Sequence, residues 1–265
     1  MNNNAILLPE WANQSAIQLT WPHEGTDWRE YLDDICATYA EMADAITRYE
    51  KLLVVAPEPE LVKKELSKRL TSCQLDNIIF HKCPTNDTWA RDHGFITLGG
   101  DGTYTLLDFR FNGWGDKFEA ALDNAINRSL YDNGVVEGTY TDLNSFVLEG
   151  GSIESDGRGT VLTTSQCLLA PHRNQPLTRS EIEQKLKSML HAERILWIDY
   201  GHLEGDDTDG HIDTLVRIAP DDTLLYIGCD DKSDSHYDDL KRMEEQLKTF
   251  RTADGKPYRL MRLPM

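Results

Sequence analysis

Short apolar runs alternate along the chain with longer segments whose apolar residues return every three or four positions, which predicts strands alternating with amphipathic helices. Residues 16–21 (AIQLTW), 51–56 (KLLVVA) and 77–81 predict strands, because aliphatic and β-branched side chains suit a pleated backbone. Between the first two, Tyr31, Ile35, Tyr39, Met42 and Ile46 fall at helical spacing over residues 27–49, with Asp27 as the cap and these side chains toward the core. Residues 57–70 predict a second helix. A hairpin is expected from 95–98 and 103–109, joined through Gly99, Gly100, Asp101 and Gly102. Beyond it come a helix over 118–130, an extended segment over 135–139 and a strand over 160–164. Thr178 with Glu181 three positions later reads as a capping box opening a helix over 179–190. Strands at 194–199 and 223–228, a helix over 235–250 and an extended 256–263 complete a rhythm too helical for an all-β protein.

A length of 265 residues suits a single domain over 1–265, and the 40% hydrophobic content can build its core. The net charge of −18 argues against nucleic acid or anionic membrane partners and favours a cationic small molecule. The amino-terminal residues lack a basic region followed by a long apolar run, so neither a secretory signal nor a membrane span is expected. Five scattered cysteines form no disulfide framework or zinc pattern, which points to a reduced, cytoplasmic protein.

Candidate chemistry is densest in residues 204–217, EGDDTDGHIDTLVR. On an extended backbone His211 and Asp213, two residues apart, share one face, and the surrounding carboxylates favour an imidazolium suited to general acid work. The bland alternative is a solvated Asp/Gly turn. A metal set from Asp206, Asp207, Asp209, His211 and Asp213 has no defined geometry, and no metal is expected. Asp92 lies in TNDTWARDHG, where Arg91 could pair with Asp87 or Asp92. Trp114, between glycines, could face a cation or simply fill the core. Glu149 is a strand-end carboxylate beside two glycines that could equally serve a bend, while Glu154 is expected to face water. Cys167, near His172, is a nucleophile candidate, but proximity in sequence does not establish an activating geometry, and a buried structural thiol is the expectation.

Six stretches in order carry a resemblance: TWPHEGTDW at 20–28, NDTWARDHG at 86–94, DFRFNGWGDK at 108–117, LEGGSIESDGRG at 148–159, CLLAPHRNQ at 167–175 and GDDTDGHIDTLVR at 205–217. Together they resemble the agmatine deiminase family of guanidine-modifying enzymes, related to bacterial peptidylarginine deiminases. The resemblance implies an α/β fold, a pseudosymmetric five-module αβ propeller of the pentein type. It places Asp92 and Asp213 against a substrate guanidinium, with Glu149 and His211 beside them and Trp114 and Trp21 lining the site. It implies hydrolysis of agmatine to N-carbamoylputrescine and ammonia through a cysteine thiouronium, with His211 protonating the leaving amine and no cofactor. Free arginine, peptidylarginine or noncatalytic guanidine binding are the alternatives, and a homodimer is compatible with the family. The family's nucleophilic cysteine belongs to a glycine-rich carboxy-terminal motif with no match here, and Phe95 and Glu154 replace a usual proline and a frequent histidine. The expectation is therefore a C-terminally truncated chain, its last module missing or incomplete and its site without a nucleophile.

Overall fold

Strands β1 (Ile6–Leu7), β2 (Ala16–Thr20), β3 (Lys51–Ala56) and β4 (Ile78–Lys82) open the computed structural model, which describes residues 5–100 and 102–265. Residues 1–4 of the amino-terminal segment, and Asp101 of the expected hairpin turn, lie outside the described residues. β2, β3 and β4 form a parallel sheet in that order, and five of the six residues of β3 are buried, as a central strand covered on both faces requires. β1 leaves this sheet and pairs antiparallel with β5 (Ile96–Gly100).

The rest of the chain repeats one unit, an antiparallel pair followed by a crossover to a parallel strand. β5 and β6 (Thr103–Arg110) form the expected hairpin, and β7 (Thr139–Val147) returns parallel to β6. β8 (Ile153–Ser155) and β9 (Thr160–Thr164) follow, with β10 (Arg194–Ile198) parallel to β9. β11 (Val216–Ala219) and β12 (Thr223–Gly228) come next, with β13 (Arg259–Pro264) parallel to β12. The parallel returns need long crossovers, which the helices Arg179–Met189 and Tyr237–Thr249 supply in the last two units.

The expected five modules with an incomplete last one require correction. The described residues form four sheets, and the unit containing the last strand is paired and packed: β13 pairs with β12 over six residues, and Leu240, Met243 and Leu247 of its helix are buried. The α/β reading itself holds, since strands and helices alternate through the described residues.

Smaller differences have local causes. Asp27 starts a 3-10 turn, Asp27–Tyr31, instead of capping the helix, which runs Leu32–Thr47. That helix buries Ala40, Ala43 and Thr47, whereas Tyr31 and Met42 are exposed. Small residues let a helix approach closely, so the bulky stripe sits at the margin of the contact. The predicted helix over 57–70 ends at Leu66, and a second short helix, Ser72–Asp76, follows under a Thr71–Gln74 capping box. Residues 118–130 divide into Ala121–Asn124 and Ile126–Asp132, and the strand expected at 135–139 begins only at Thr139. Thr178 and Glu181 form the capping box as expected. Among the described residues no helix is long and apolar enough to cross a membrane.

Candidate active site

Three polar atoms converge on one backbone position. A Cβ placed on Gly151 would lie 2.7 Å from Asp92 Oδ1, 2.7 Å from His211 Nδ1 and 2.8 Å from Asp213 Oδ2. Only glycine lets the three groups pack this closely against the backbone.

Each group arrives from the end of a different unit. Asp92 sits in the one-turn helix Ala90–His93 after β4, where its Oδ2 accepts from Trp114 Nε1 at 3.1 Å and its Oδ1 from the Gly151 amide at 3.2 Å. Burial, with the Asp213 and Glu149 charges added, pushes its carboxyl up to about 7. Glu149 follows β7 and is fully buried; its Oε1 accepts from Arg173 Nε at 2.7 Å, and its Oε2 has no protein donor among the described residues. Burial raises this carboxyl too, opposed by the Arg173 guanidinium.

His211 and Asp213 flank Ile212, which is fully buried in the core of the last unit and pins this segment. The expectation of an extended strand here is overturned: residues Ile212–Thr214 form a 3-10 turn and β11 starts only at Val216. Both side chains reach Gly151 through that turn. His211 Nδ1 lies 3.5 Å from Asp92 Oδ1, while its Nε2 is buried without a partner among the described residues. The expected imidazolium is also overturned. Burial, reinforced by Arg173, pulls this histidine down to about 3, so the ring is neutral near neutral pH. Asp213 is raised by burial against the opposing charges of Arg217 and Arg91.

Arg91 pairs with neither Asp87 nor Asp92, because Glu10 takes its guanidinium at 2.9 and 3.1 Å. Glu154, expected in water, is buried, accepts the Ile218 amide at 2.9 Å and pairs with Arg217. Trp114 is buried with φ 55°, a left-handed conformation costly for an aromatic residue, in a turn where Asn112 Oδ1 accepts from the Gly115 amide at 3.1 Å. Trp21 packs edge-on to Tyr39 at 5.5 Å, within the core of the first unit. The loop acids shape the loop itself: Asp206 accepts from Thr208 and Gly210, and Asp209 is gripped by Lys117 and Arg173. They do not gather as a metal set.

Cys167 changes the picture most. It lies in the short helix Ser165–Leu168 after β9, whose cap Thr164 accepts the Cys167 amide at 3.1 Å. It is fully buried, as expected, but one ligand atom from each of Glu149, Cys167 and His211 falls within 4.8 Å of the others. The expected absence of a cysteine from the site is thereby overturned, and the inference of truncation loses the observation it rested on. Burial and the Glu149 charge push the thiol well above its ordinary range, so at rest it holds its proton. The same spacing could enclose a divalent ion, yet Glu149 is already paired to a buried guanidinium, whose charge opposes one. Arg173, which the sequence reading left without a site role, has partners 24 and 36 residues away and no local motif to reveal it.

The chain matches the Porphyromonas-type peptidyl-arginine deiminase family over residues 6–265. A Porphyromonas gingivalis protein provisionally named an arginine deiminase has a similar structure, with a TM-score of 0.91 and 47% identity over 98% of this chain and 76% of that one. The C. jejuni agmatine deiminase gives 0.84 and 38% over 99% of this chain and 74% of that one. In sequence, the agmatine deiminase of Ectopseudomonas mendocina is 32% identical over 97% of this chain and 69% of its own length. With its site built from successive strand ends and the family match running through nearly all its residues, the chain belongs to the Porphyromonas-type peptidyl-arginine deiminase family.

Proposed function

We propose that this site hydrolyses the guanidinium C–N bond of agmatine, releasing N-carbamoylputrescine and ammonia. The observation that carries the reading is the convergence at Gly151, where two carboxylates and an imidazole close on one backbone position that has no side chain. Asp92 and Asp213 accept the N–H groups of the planar cation, and charge-assisted bonds of this kind orient as well as bind. Trp114 Nε1 keeps the Asp92 carboxylate turned toward that position. The relatives' names divide among agmatine, arginine and peptidyl-arginine. Arg91 and Arg217 beside Asp213 are each paired to a glutamate, a setting that favours a substrate without a carboxylate.

The chemistry needs a thiol and a base, and Cys167 and the neutral His211 fill those places. The thiol proton passes to the imidazole and the sulfur adds to the guanidinium carbon. The imidazolium returns its proton to nitrogen as ammonia leaves; water, deprotonated by His211, then adds to the thiouronium carbon, the C–S bond breaks with its electrons on sulfur, the thiolate recovers the proton from His211, and the ureido product loses its extra proton to ammonia. Glu149 steadies the charged ring during these transfers.

The test is turnover of the purified 265-residue chain on agmatine, free arginine and an arginyl peptide, with ammonia and ureido product both measured. Agmatine is expected to be fastest. No ammonia above a heat-treated control would reject hydrolysis, and faster turnover of arginine would reject the substrate. Full turnover by Cys167→Ser would remove Cys167 from the reaction and leave guanidinium binding standing.

A second expectation concerns pH. Asp92 takes up a proton as pH falls through about 7, and the neutral acid attracts a cation less. Agmatine affinity should therefore fall between about pH 8 and about pH 6, and binding in that window should release a proton. Calorimetry in two buffers of different ionisation heat reads both effects. A pH-independent affinity would argue against contact between Asp92 and the cation.

A further inference from the structure

We propose that Arg173 is a positioning residue of this site, one buried guanidinium that fixes Glu149, the loop carrying His211 and the turn carrying Trp114 relative to one another. The proposal rests on the guanidinium-hydrolysis reading for its kinetic consequences but on the geometry for its origin. The Arg173 side chain is wholly buried, and each of its three nitrogens donates to protein. Nε reaches Glu149 Oε1 at 2.7 Å, Nη1 reaches Asp209 Oδ2 at 2.9 Å and Nη2 reaches the Thr208 carbonyl at 3.0 Å.

The loop end of this bridge is held firmly. Asp209 has φ 64°, and Lys117 Nζ grips its other oxygen at 2.8 Å, so one carboxylate is clasped by two cations from separate elements. Two residues later comes His211, whose amide donates to Thr208 Oγ1 at 3.0 Å. The third segment is shaped around the same guanidinium. A Cβ on Gly115 would come 2.5 Å from Arg173 Nη1, so the turn that presents Trp114 to Asp92 is tolerated there only with glycine. A planar fork with donors in fixed directions suits the bonds to Glu149 and to the 208–209 loop while lying against the Gly115 turn, and lysine cannot reproduce it. The Arg173 charge also favours the neutral form of His211.

Arg173→Met is expected to lower kcat about 10²-fold while changing KM for agmatine little, since misplacement of catalytic groups by about an ångström costs that much. Arg173→Lys should recover part of kcat, because it restores the charge without the fork. Thermal melting of each variant separates this from simple loss of folded protein. A wild-type kcat in Arg173→Met, or kcat falling only in step with the folded fraction, would overturn the proposal. The second readout is independent of turnover: in NMR titrations the His211 imidazole should titrate higher in Arg173→Met than in the wild type, and an unmoved titration would overturn the proposal. If the wild type releases no ammonia, the hydrolase reading fails while this titration still decides the role of Arg173. Should Arg173→Met not fold, Asp209→Asn replaces it, which loosens the loop and leaves the Glu149 contact; unchanged kcat and unchanged His211 titration there would overturn the proposal.

Discussion

Gly151→Ala is expected to reduce turnover of agmatine by about 10²-fold or more while the protein stays folded. The added methyl would come within 2.8 Å of Asp92, His211 and Asp213, the groups proposed to surround the substrate cation, and would push them apart. The backbone does not forbid the change, since Gly151 is not among the positive-φ glycines. What must yield is the side-chain constellation. Asp92 would lose its 3.2 Å bond from the Gly151 amide or swing its carboxylate away, and either movement spoils two-point recognition of a planar cation. Steady-state kinetics beside a thermal melt check the result: KM should rise and kcat fall with the melting midpoint nearly unchanged. Wild-type kinetics in the alanine variant would show that the cation binds elsewhere.

Glu149→Leu carries the largest expected loss of stability, about 3 kcal/mol, because it strands part of a buried guanidinium's charge. Two effects oppose each other at this position. Glu149 is itself costly, fully buried with Oε2 lacking a protein donor, so removing it relieves a desolvation penalty. Arg173, however, would retain only Asp209 and the Thr208 carbonyl as partners, and breaking one side of a buried pair usually outweighs that relief. Glu149→Gln should cost less, since its amide oxygen can still accept from Nε. Urea denaturation of the three proteins gives the order. A leucine variant as stable as the wild type would mean that Asp209 alone suffices to hold Arg173. Agmatine turnover should fall in both variants, because His211 would lose the carboxylate that steadies its charged form.

Alternation of apolar runs and helical spacing revealed most strands and the later helices, because the side chains that pattern a strand or helix lie within a few residues of one another. The Thr178–Glu181 capping box and the hairpin of β5 and β6 are local for the same reason. The helix Leu32–Thr47 shows the limit: Tyr39 and Ile46 of its bulky stripe do pack against the core, but Met42 is exposed and Ala40 and Ala43 make the buried contact. Asp92, Glu149, His211 and Asp213 were also visible, as polar groups beside glycines at strand ends and through the motifs that contain them.

The order of strands and helices, the site's acidic character and the family motifs were determined by the sequence alone, since each is written in neighbouring residues. Tertiary structure alone decided that Cys167 joins Glu149 and His211, that Arg173 bonds both Glu149 and Asp209 and that a 3-10 turn aims His211 and Asp213. It also decided protonation: within the same carboxylate-rich neighbourhood that suggested an imidazolium, burial and the Arg173 charge keep His211 neutral. The physical reason is that burial and through-space charge depend on how separate units pack, and that information is spread across the whole chain.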